Sequence, residues 1–305
     1  MFIRAALLLI FSMLCDLSAA EDLRVMSFNI WVGGESGKQP LEQTAKVIRA
    51  AKAEIVGMQE ANGEEKNGMR PDNGKRVAEI LGWNYFAQGG GMAVVTKHTI
   101  VTNTPAKWGV LVRLDSGKEV WMFNAHLMHA PYQPYQLLQI PYGNGRFIKT
   151  AEEAVDEARK ARGSQVERLV AELKPALASG KPVFLTGDMN EPSHQDWTDR
   201  AAKASKVPMA VEYPTTLAFT KAGLVDAFRA LHPDEVEVRG NTWTPITSPD
   251  DPKDRHDRID FVFFSGNGVT ARSCQIVGED KSYADIVVQP YPSDHRAVVA
   301  TIQIP

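Results

Sequence analysis

The sequence predicts an α/β fold in which mixed β-sheets are covered by helices, and three observations lead to that expectation. Short apolar or alternating runs recur along the chain, such as Leu23 to Phe28 and Val183-Phe184-Leu185. Helical patterns rich in Ala, Lys and Glu lie between them, chiefly over residues 41–53 and 151–177. Several strand-like runs also follow one another with no helix between, as over residues 91–126. Strict alternation of strand and helix would indicate a parallel doubly wound sheet; interspersed hairpins indicate a mixed one. The chain has 305 residues, 44% hydrophobic and 23% charged, which is enough to bury a large core. Length alone admits one large α/β domain or two small ones.

The elements follow in order. Leu23-Arg24-Val25-Met26-Ser27-Phe28 alternates and reads as a strand ending at Asn29. Leu41 to Ala53 reads as a helix with Val47 and Ile48 on one face, and Glu54 to Gln59 as a strand ending at Glu60. A short helix is expected over Gly74 to Leu81, then strands over Gly91 to Thr96, Val110 to Leu114 and Val120 to His126. Ala151 to Leu177 is the longest helical pattern, with a break at Gly163. Pro182 to Thr186 is a strand, and Ser193 to Ser205 a helix with Ser193 as N-cap. Ile259 to Ser265 and Ala297 to Ile304 are late strands. His129 to Arg146 and Pro245 to Arg258 read as irregular loops, long enough to suggest function. Gly89-Gly90-Gly91 leads into a strand and lacks a following Gly-Lys-Ser/Thr, so it reads as a tight turn and not a phosphate-cradling loop. Asp250, Asp251, Asp254 and Asp257 lack the glycine and terminal glutamate of an EF-hand and read as a solvated acidic loop.

Residues 1–20 have the pattern of an export signal. Arg4 precedes the apolar run Ala5 to Leu14, and Ser18-Ala19-Ala20 supplies small residues at a cleavage site. The run is too short to span a bilayer, so the expectation is a mature chain over residues 21–305, periplasmic or secreted, with no membrane span. Cys15 raises a lipoprotein alternative, but bulky Leu14 before it is a poor fit. Cys274 would then be the one cysteine left, with no intrachain disulfide, and reads as a small buried hydrophobe. The net charge of -3 gives no basic field, which argues against tight nonspecific binding of nucleic acid through charge. No obligate protein partner is evident.

Polar residues punctuate the strand runs where an apolar strand has no need of them. These are Asn29 in F-N-I-W, Glu60 in G-M-Q-E, His126 in N-A-H-L, Asp188 and Asn190 in G-D-M-N, and Asp260 in R-I-D-F. Asp294 and His295, in S-D-H, precede the last strand. Singly, each has an ordinary structural explanation as a turn residue, cap or core histidine. If the strands pack side by side, they converge on one rim.

Their order resembles the endonuclease/exonuclease/phosphatase superfamily, carried by F-N-I-W, M-Q-E, G-M-A-V-V-T-K, N-A-H-L, G-D-M-N, G-L-V-D-A-F-R, T-W-T, R-I-D-F-V-F and S-D-H from Arg24 onward. The resemblance implies a four-layer α/β sandwich of the DNase I-like kind, two mixed β-sheets face to face flanked by helices. It implies a metal-dependent phosphoesterase with its site at one end of the sandwich. Glu60 and Asn29 would hold the metal, with Asp294 as a further ligand or supporting acid. Hard oxygen ligands suit Mg²⁺ or Mn²⁺, with Ca²⁺ also admissible. Asp260 would orient His295, Asp188 would orient or deprotonate water, Asn190 would donate to a phosphate oxygen, and His126 would contact the phosphate or assist the leaving group.

Substrate choice is expected in the rim loops, with His129, Tyr132, Arg146 and Arg258 as candidate contacts. Tyr132, Tyr135 and Tyr142 either stack on the substrate or anchor their loop. The expected activity is hydrolysis of phosphodiesters in nucleic acid, nucleotide or phospholipid head group by metal-assisted in-line attack of water. A phosphomonoesterase of the same superfamily is the enzyme alternative, and a non-catalytic exported binding protein is the alternative of another class.

Overall fold

The computed structural model describes residues 20–305. The expected export signal, Cys15 included, lies outside the described residues except for Ala20. The strands form two sheets. The first has seven strands: β1 (Glu21–Asn29), β2 (Ile55–Gln59), β3 (Asn84–Gly89), β4 (Met92–Thr96), β11 (Thr270–Gly278), β12 (Ile286–Val287) and β13 (Ala297–Ile304). Their spatial order is β12-β11-β13-β1-β2-β4-β3. The second has six: β5 (Thr99–Asn103), β6 (Gly109–Arg113), β7 (Glu119–His126), β8 (Val183–Asp188), β9 (Val225–Asp226) and β10 (Asp260–Ser265), in the order β5-β6-β7-β8-β10-β9. Each sheet is mixed. β1 pairs parallel with β2 and antiparallel with β13, and β7 pairs parallel with β8, which is antiparallel to β10.

Alternation of side chains along the strands builds the layers. Val25, Ile55 and Val94 of the first sheet meet Val112, Met122, Phe184 and Val262 of the second in a central core. The opposite face of the first sheet, with Met26, Phe28, Val56 and Met58, packs on helices α1 (Leu41–Ala50) and α2 (Asn73–Leu81). The opposite face of the second, with Phe123, Leu185, Phe261 and Phe263, packs on α4 (Ala151–Ala178) and α6 (Pro214–Lys221). The result is the expected four-layer sandwich. The short helices α3 (Gln133–Leu138), α5 (Asp199–Lys203) and α7 (Ala227–Leu231) complete it. Among the described residues, no helix is long and apolar enough to cross a membrane. Cys274 is buried in the central core, as expected.

Four expectations are corrected. Helix α4 runs unbroken through Gly163, because Ala158, Arg162, Val166, Leu169 and Leu173 bury one continuous face; that packing outweighs the ~1 kcal/mol helix cost of glycine. Ser193 caps no helix. Its Oγ accepts from Gln195 N–H in a turn, Asp196 and Trp197 are drawn into the interior, and the helix begins only after Thr198, whose side chain caps Ala201 N–H. The loop after His129 contains α3, started by Pro134 in its first turn. The acidic loop is only partly solvated: Asp257 is buried and Asp254 is enclosed by Tyr135, Thr247 and Trp243.

A polar bridge crosses the apolar core near one end. Asn124 on β7 donates to Met58 O (2.9 Å) and Gln88 Oε1 (2.9 Å), and its Oδ1 accepts from Gln59 Nε2 (2.6 Å) and Thr186 Oγ1 (3.2 Å). Gln88 in turn donates to Trp108 O and Asn124 O. At Gly57 the sheets approach so closely that a Cβ would sit 2.0 Å from Thr186 Oγ1, so only glycine fits. Each buried polar group left unpaired costs ~1–3 kcal/mol, so Asn124→Leu is expected to lower stability by ~3 kcal/mol or more. Urea unfolding measures this, and a loss below ~1 kcal/mol would show that the bridge is not structural.

Candidate active site

The polar bridge lies directly behind a pocket of about 230 Å³. Gln59 precedes Glu60, Asn124 lies two residues before His126, and Thr186 two before Asp188. Parallel pairing of β1 with β2 and of β7 with β8 brings the C-terminal ends of all four strands to one rim. β10 runs the other way, so Asp260 reaches the rim by starting its strand, opposite Asp188 in register. Ser293 brings in the last pair: its Oγ donates to Asn29 O (2.7 Å) and accepts from His295 N–H (3.1 Å).

Asp188 is the hub. Its Oδ1 accepts from Asn190 N–H (2.9 Å) and its Oδ2 from Asn29 Nδ2 (3.0 Å). His126 Nε2 and His295 Nε2 approach that same Oδ2 at 3.5 and 3.7 Å. The other imidazole nitrogen of His295, Nδ1, is bonded to Asp260 Oδ2 at 2.9 Å. Asp188, Asp260 and His295 thus form one buried cluster in which one ligand atom from each lies within 4.8 Å of the others. Burial alone would discharge His295, but Asp260 and Asp188 outweigh it and raise its pKa to about 10. His295 is therefore a cation at neutral pH, and its Nε2 is a donor aimed at the pocket.

Glu60 Oε1 accepts from Asn29 Nδ2 (3.2 Å) and its Oε2 from Val32 N–H (2.9 Å). Glu60 and Asn190 both adopt left-handed backbone, at φ 53° and 49°. Such positions cost of order 1–3 kcal/mol and persist where the surroundings impose them. Asn190 therefore reaches the pocket by a turn after the strand, not by the i, i+2 alternation of a strand. One hydrogen of its amide is committed to Leu127 O (3.0 Å). Asp294 Oδ1 is buried without a hydrogen-bond partner. Burial first, then repulsion from Glu60 and Asp188, raise the Asp294 pKa to about 7 against the pull of His295.

Two carboxylates ~4 Å apart repel by roughly 4 kcal/mol at an effective dielectric near 20. Glu60, Asp188 and Asp294 line the pocket beside the imidazolium of His295, and Asp260 stands behind that imidazole. A phosphate would not enter without further positive charge. Among the oxygens open to a hard cation are those of Glu60, which line the pocket, and Asp294 Oδ1, which has no hydrogen-bond partner. This donor set fits a divalent metal. Asn29 presents its amide nitrogen to Glu60 and Asp188, orienting both carboxylates, while its Oδ1 accepts from Trp31 N–H (3.0 Å).

The expected rim contacts divide. His129 and Tyr132 line the pocket. Tyr132 is also an anchor, with its hydroxyl donating to buried Asp257 (2.9 Å). Arg146 is turned away onto α4, paired with Glu153 (2.9 Å) and Glu157 (3.3 Å). Arg258 is sealed inside the protein between Asp196 (3.0 Å) and Asp226 (2.7 Å), too deep to touch a substrate. Trp31 and Trp243 also line the pocket, and neither was singled out from the sequence. Trp31 lies two residues beyond Asn29, and Trp243 stands in T-W-T with its ring tilted against His295 at 4.9 Å between centroids. Tyr135 and Tyr142 pack edge to face at 5.5 Å and complete an aromatic wall. Buried Arg162 holds the base of that wall, donating to Met128 O (2.8 Å), to Gln133 and to Glu191 (3.0 Å).

The chain belongs to the Endonuclease/Exonuclease/phosphatase family, whose profile matches residues 26–295. Membership makes it a phosphoric ester hydrolase of a divalent-metal-dependent class. An uncharacterised protein of Caenorhabditis elegans is 25% identical over 319 residues, covering 98% of each chain. Among solved structures, an endonuclease/exonuclease/phosphatase from Beutenbergia cavernae has a TM-score of 0.55 at 18% identity, covering 93% of this chain and 72% of that one. The 3'-5' exonuclease NExo from Neisseria meningitidis has a TM-score of 0.55 at 15% identity, over 91% and 98%. D. rerio TDP2 complexed with single strand DNA product has a TM-score of 0.52 at 16% identity, over 92% and 98%. These three likenesses concern the fold.

The charge on His295 depends on Asp260. In Asp260→Asn the imidazole pKa is expected to fall from about 10 toward the ordinary histidine range. An NMR pH titration of the His295 ring reads this directly, and an unchanged titration would contradict the assignment.

Proposed function

We propose that this chain is an exported phosphodiesterase that uses Mg²⁺ or Mn²⁺ to hydrolyse a phosphodiester by in-line attack of water. The observation that carries the reading is the buried Asp188–His295–Asp260 cluster opening into the same pocket as Glu60 and Asp294. Glu60 and Asp294 would hold the metal, and Asn29 keeps the Glu60 and Asp188 carboxylates in place. When bound, the metal supplies the positive charge that lets the phosphate enter and polarises its oxygen. Asp188, fixed by Asn29 and the Asn190 N–H, orients a water and accepts its proton. His295, charged and steadied by Asp260, donates through Nε2 to the phosphoryl group as negative charge develops there. His126 lies against the same Asp188 oxygen and donates to the phosphate or the departing oxygen. Asn190 offers its remaining amide hydrogen.

Diester is favoured over monoester by the composition of the wall. Among the described residues no lysine or arginine lines the pocket, whereas Trp31, Tyr132, Tyr135, Tyr142 and Trp243 do. A monoester dianion needs more fixed positive charge; a diester carries one charge and a second organic substituent that aromatic faces can accept. Export rests on the Arg4 to Ala20 pattern, and N-terminal sequencing of the mature protein is expected to start at Glu21.

The activity test is hydrolysis of bis-p-nitrophenyl phosphate with Mg²⁺ or Mn²⁺, abolished by EDTA. Removing a positioned acid or base costs roughly 10²–10⁴ in rate, so Asp188→Ala and His295→Ala are each expected to lose at least that much without unfolding. Near-normal turnover in both variants would overturn the assignment. Plasmid DNA, RNA, sphingomyelin and p-nitrophenyl phosphate, run in parallel, identify the substrate class; preference for the last would establish a monoesterase instead. The metal must displace the proton held by Asp294 below about pH 7. Metal affinity measured by calorimetry is therefore expected to rise with pH up to about 7 and then level off.

A further inference from the structure

Beyond Glu60 lies a second groove, of about 430 Å³. The two share Val32, Glu60 and His126, and Asn62, Arg70 and Gly90-Gly91 complete the second. Arg70 is exposed and makes no ion pair or hydrogen bond among the described residues. Glu35 is engaged by Asn73 and Lys66, and Asp72 by Lys75 N–H and Tyr85, while the exposed Glu64 and Glu65 form no ion pair with Arg70. Arg70 nevertheless stands on ordered backbone. Lys66 and Met69 exchange two hydrogen bonds (2.8 and 3.1 Å), and Gly63 N–H donates to Pro71 O (2.8 Å). The glycine turn lines the groove. Gly90 and Gly91 both have positive φ, and a Cβ on Gly91 would stand 3.9 Å from Glu60 Cα and Asn62 Nδ2. Ala61 N–H donates to Gly91 O (2.7 Å) and fixes the turn beside Glu60.

A free guanidinium in a groove continuous with a pocket that has no lysine or arginine suits an anion bridging the two. We propose that this groove is a subsite for a second phosphate of the substrate, lying beyond the scissile one and gripped by Arg70 with Asn62. Arginine offers a planar fork that matches two phosphate oxygens. The inference rests on the phosphodiesterase reading and narrows it to substrates with at least two phosphates. A nucleic acid strand and a small bisphosphorylated molecule share that chemistry.

The test compares calorimetric binding of adenosine 3',5'-bisphosphate and adenosine 5'-monophosphate to the full chain with Mg²⁺ in excess. The bisphosphate is expected to bind about tenfold tighter, and Arg70→Ala to reduce the difference to within about twofold, with Arg70→Lys intermediate. Turnover of bis-p-nitrophenyl phosphate, which has one phosphorus, is expected to stay within about twofold in Arg70→Ala. Equal binding of the two nucleotides, or discrimination that survives Arg70→Ala, overturns the subsite. Discrimination without any turnover of bis-p-nitrophenyl phosphate overturns the phosphodiesterase reading and leaves the subsite standing. For a strand as occupant, Arg70→Ala raises KM for a single-stranded DNA 10-mer about tenfold; an unchanged KM with lost discrimination assigns the groove to a small bisphosphate.

Discussion

The architecture depends on one buried contact, the side chain of Asn124 reaching across the core from one sheet to the other. Two apolar sheets packed face to face can slide, because burial is not directional. Directional hydrogen bonds remove that freedom, since any shift would leave buried donors and acceptors unpaired. Asn124 binds Gln59, Gln88, Thr186 and the Met58 carbonyl at once. The side chains needed on the rim follow within two residues of three of its partners or itself. Their spacing across the two sheets is thereby set from beneath.

Above that bridge the problem is electrostatic. Four acidic side chains crowd the imidazolium of His295 at or just behind one rim. Some of the repulsion is absorbed by directed N–H groups: Asn29 Nδ2 serves both Glu60 and Asp188, while Val32 and Asn190 donate from the backbone. Asp260 is absorbed by His295. Asp260 and Asp294 each keep one buried oxygen with no donor, and a divalent cation bound at Asp294 would relieve part of that frustration. The geometry holds its charges apart in order to share them with a ligand, which is how perturbed ionisation comes to gather at a reacting centre.

The aromatic wall is secured by charge from behind. Asp257 and Asp254 take the hydroxyls of Tyr132 and Tyr135, and Arg162 collects the carbonyls at the base of the loop. A long loop of apolar rings would otherwise be free to fold over the pocket. Buried pairs of this kind are costly to break, because the abandoned charge stays inside the protein. These contacts hold the loop as one wall of the pocket, with Arg70 in the groove beside it.

Which groups meet at the rim can be read from the order of residues along the chain. Asn29, Glu60, His126, Asp188, Asp260 and His295 were legible because each interrupts or bounds an apolar run, and strand pairing carries such positions to one edge. The central strands and α1, α2 and α4 were legible for the same reason, being driven by local periodicity. The tertiary structure alone decided what long-range partners impose. Arg258 is an internal counter-ion because Asp196 and Asp226 enclose it, and Arg146 belongs to α4 because Glu153 and Glu157 are there to receive it. Trp31, Trp243 and Arg70 face the cleft because distant loops fold toward it. β3, β5 and β11 exist because neighbouring strands offer them a ladder, although their own patterns are weak. Periodicity is written in adjacent residues, whereas the pairing of a charge with its partner depends on contacts between segments far apart in the chain.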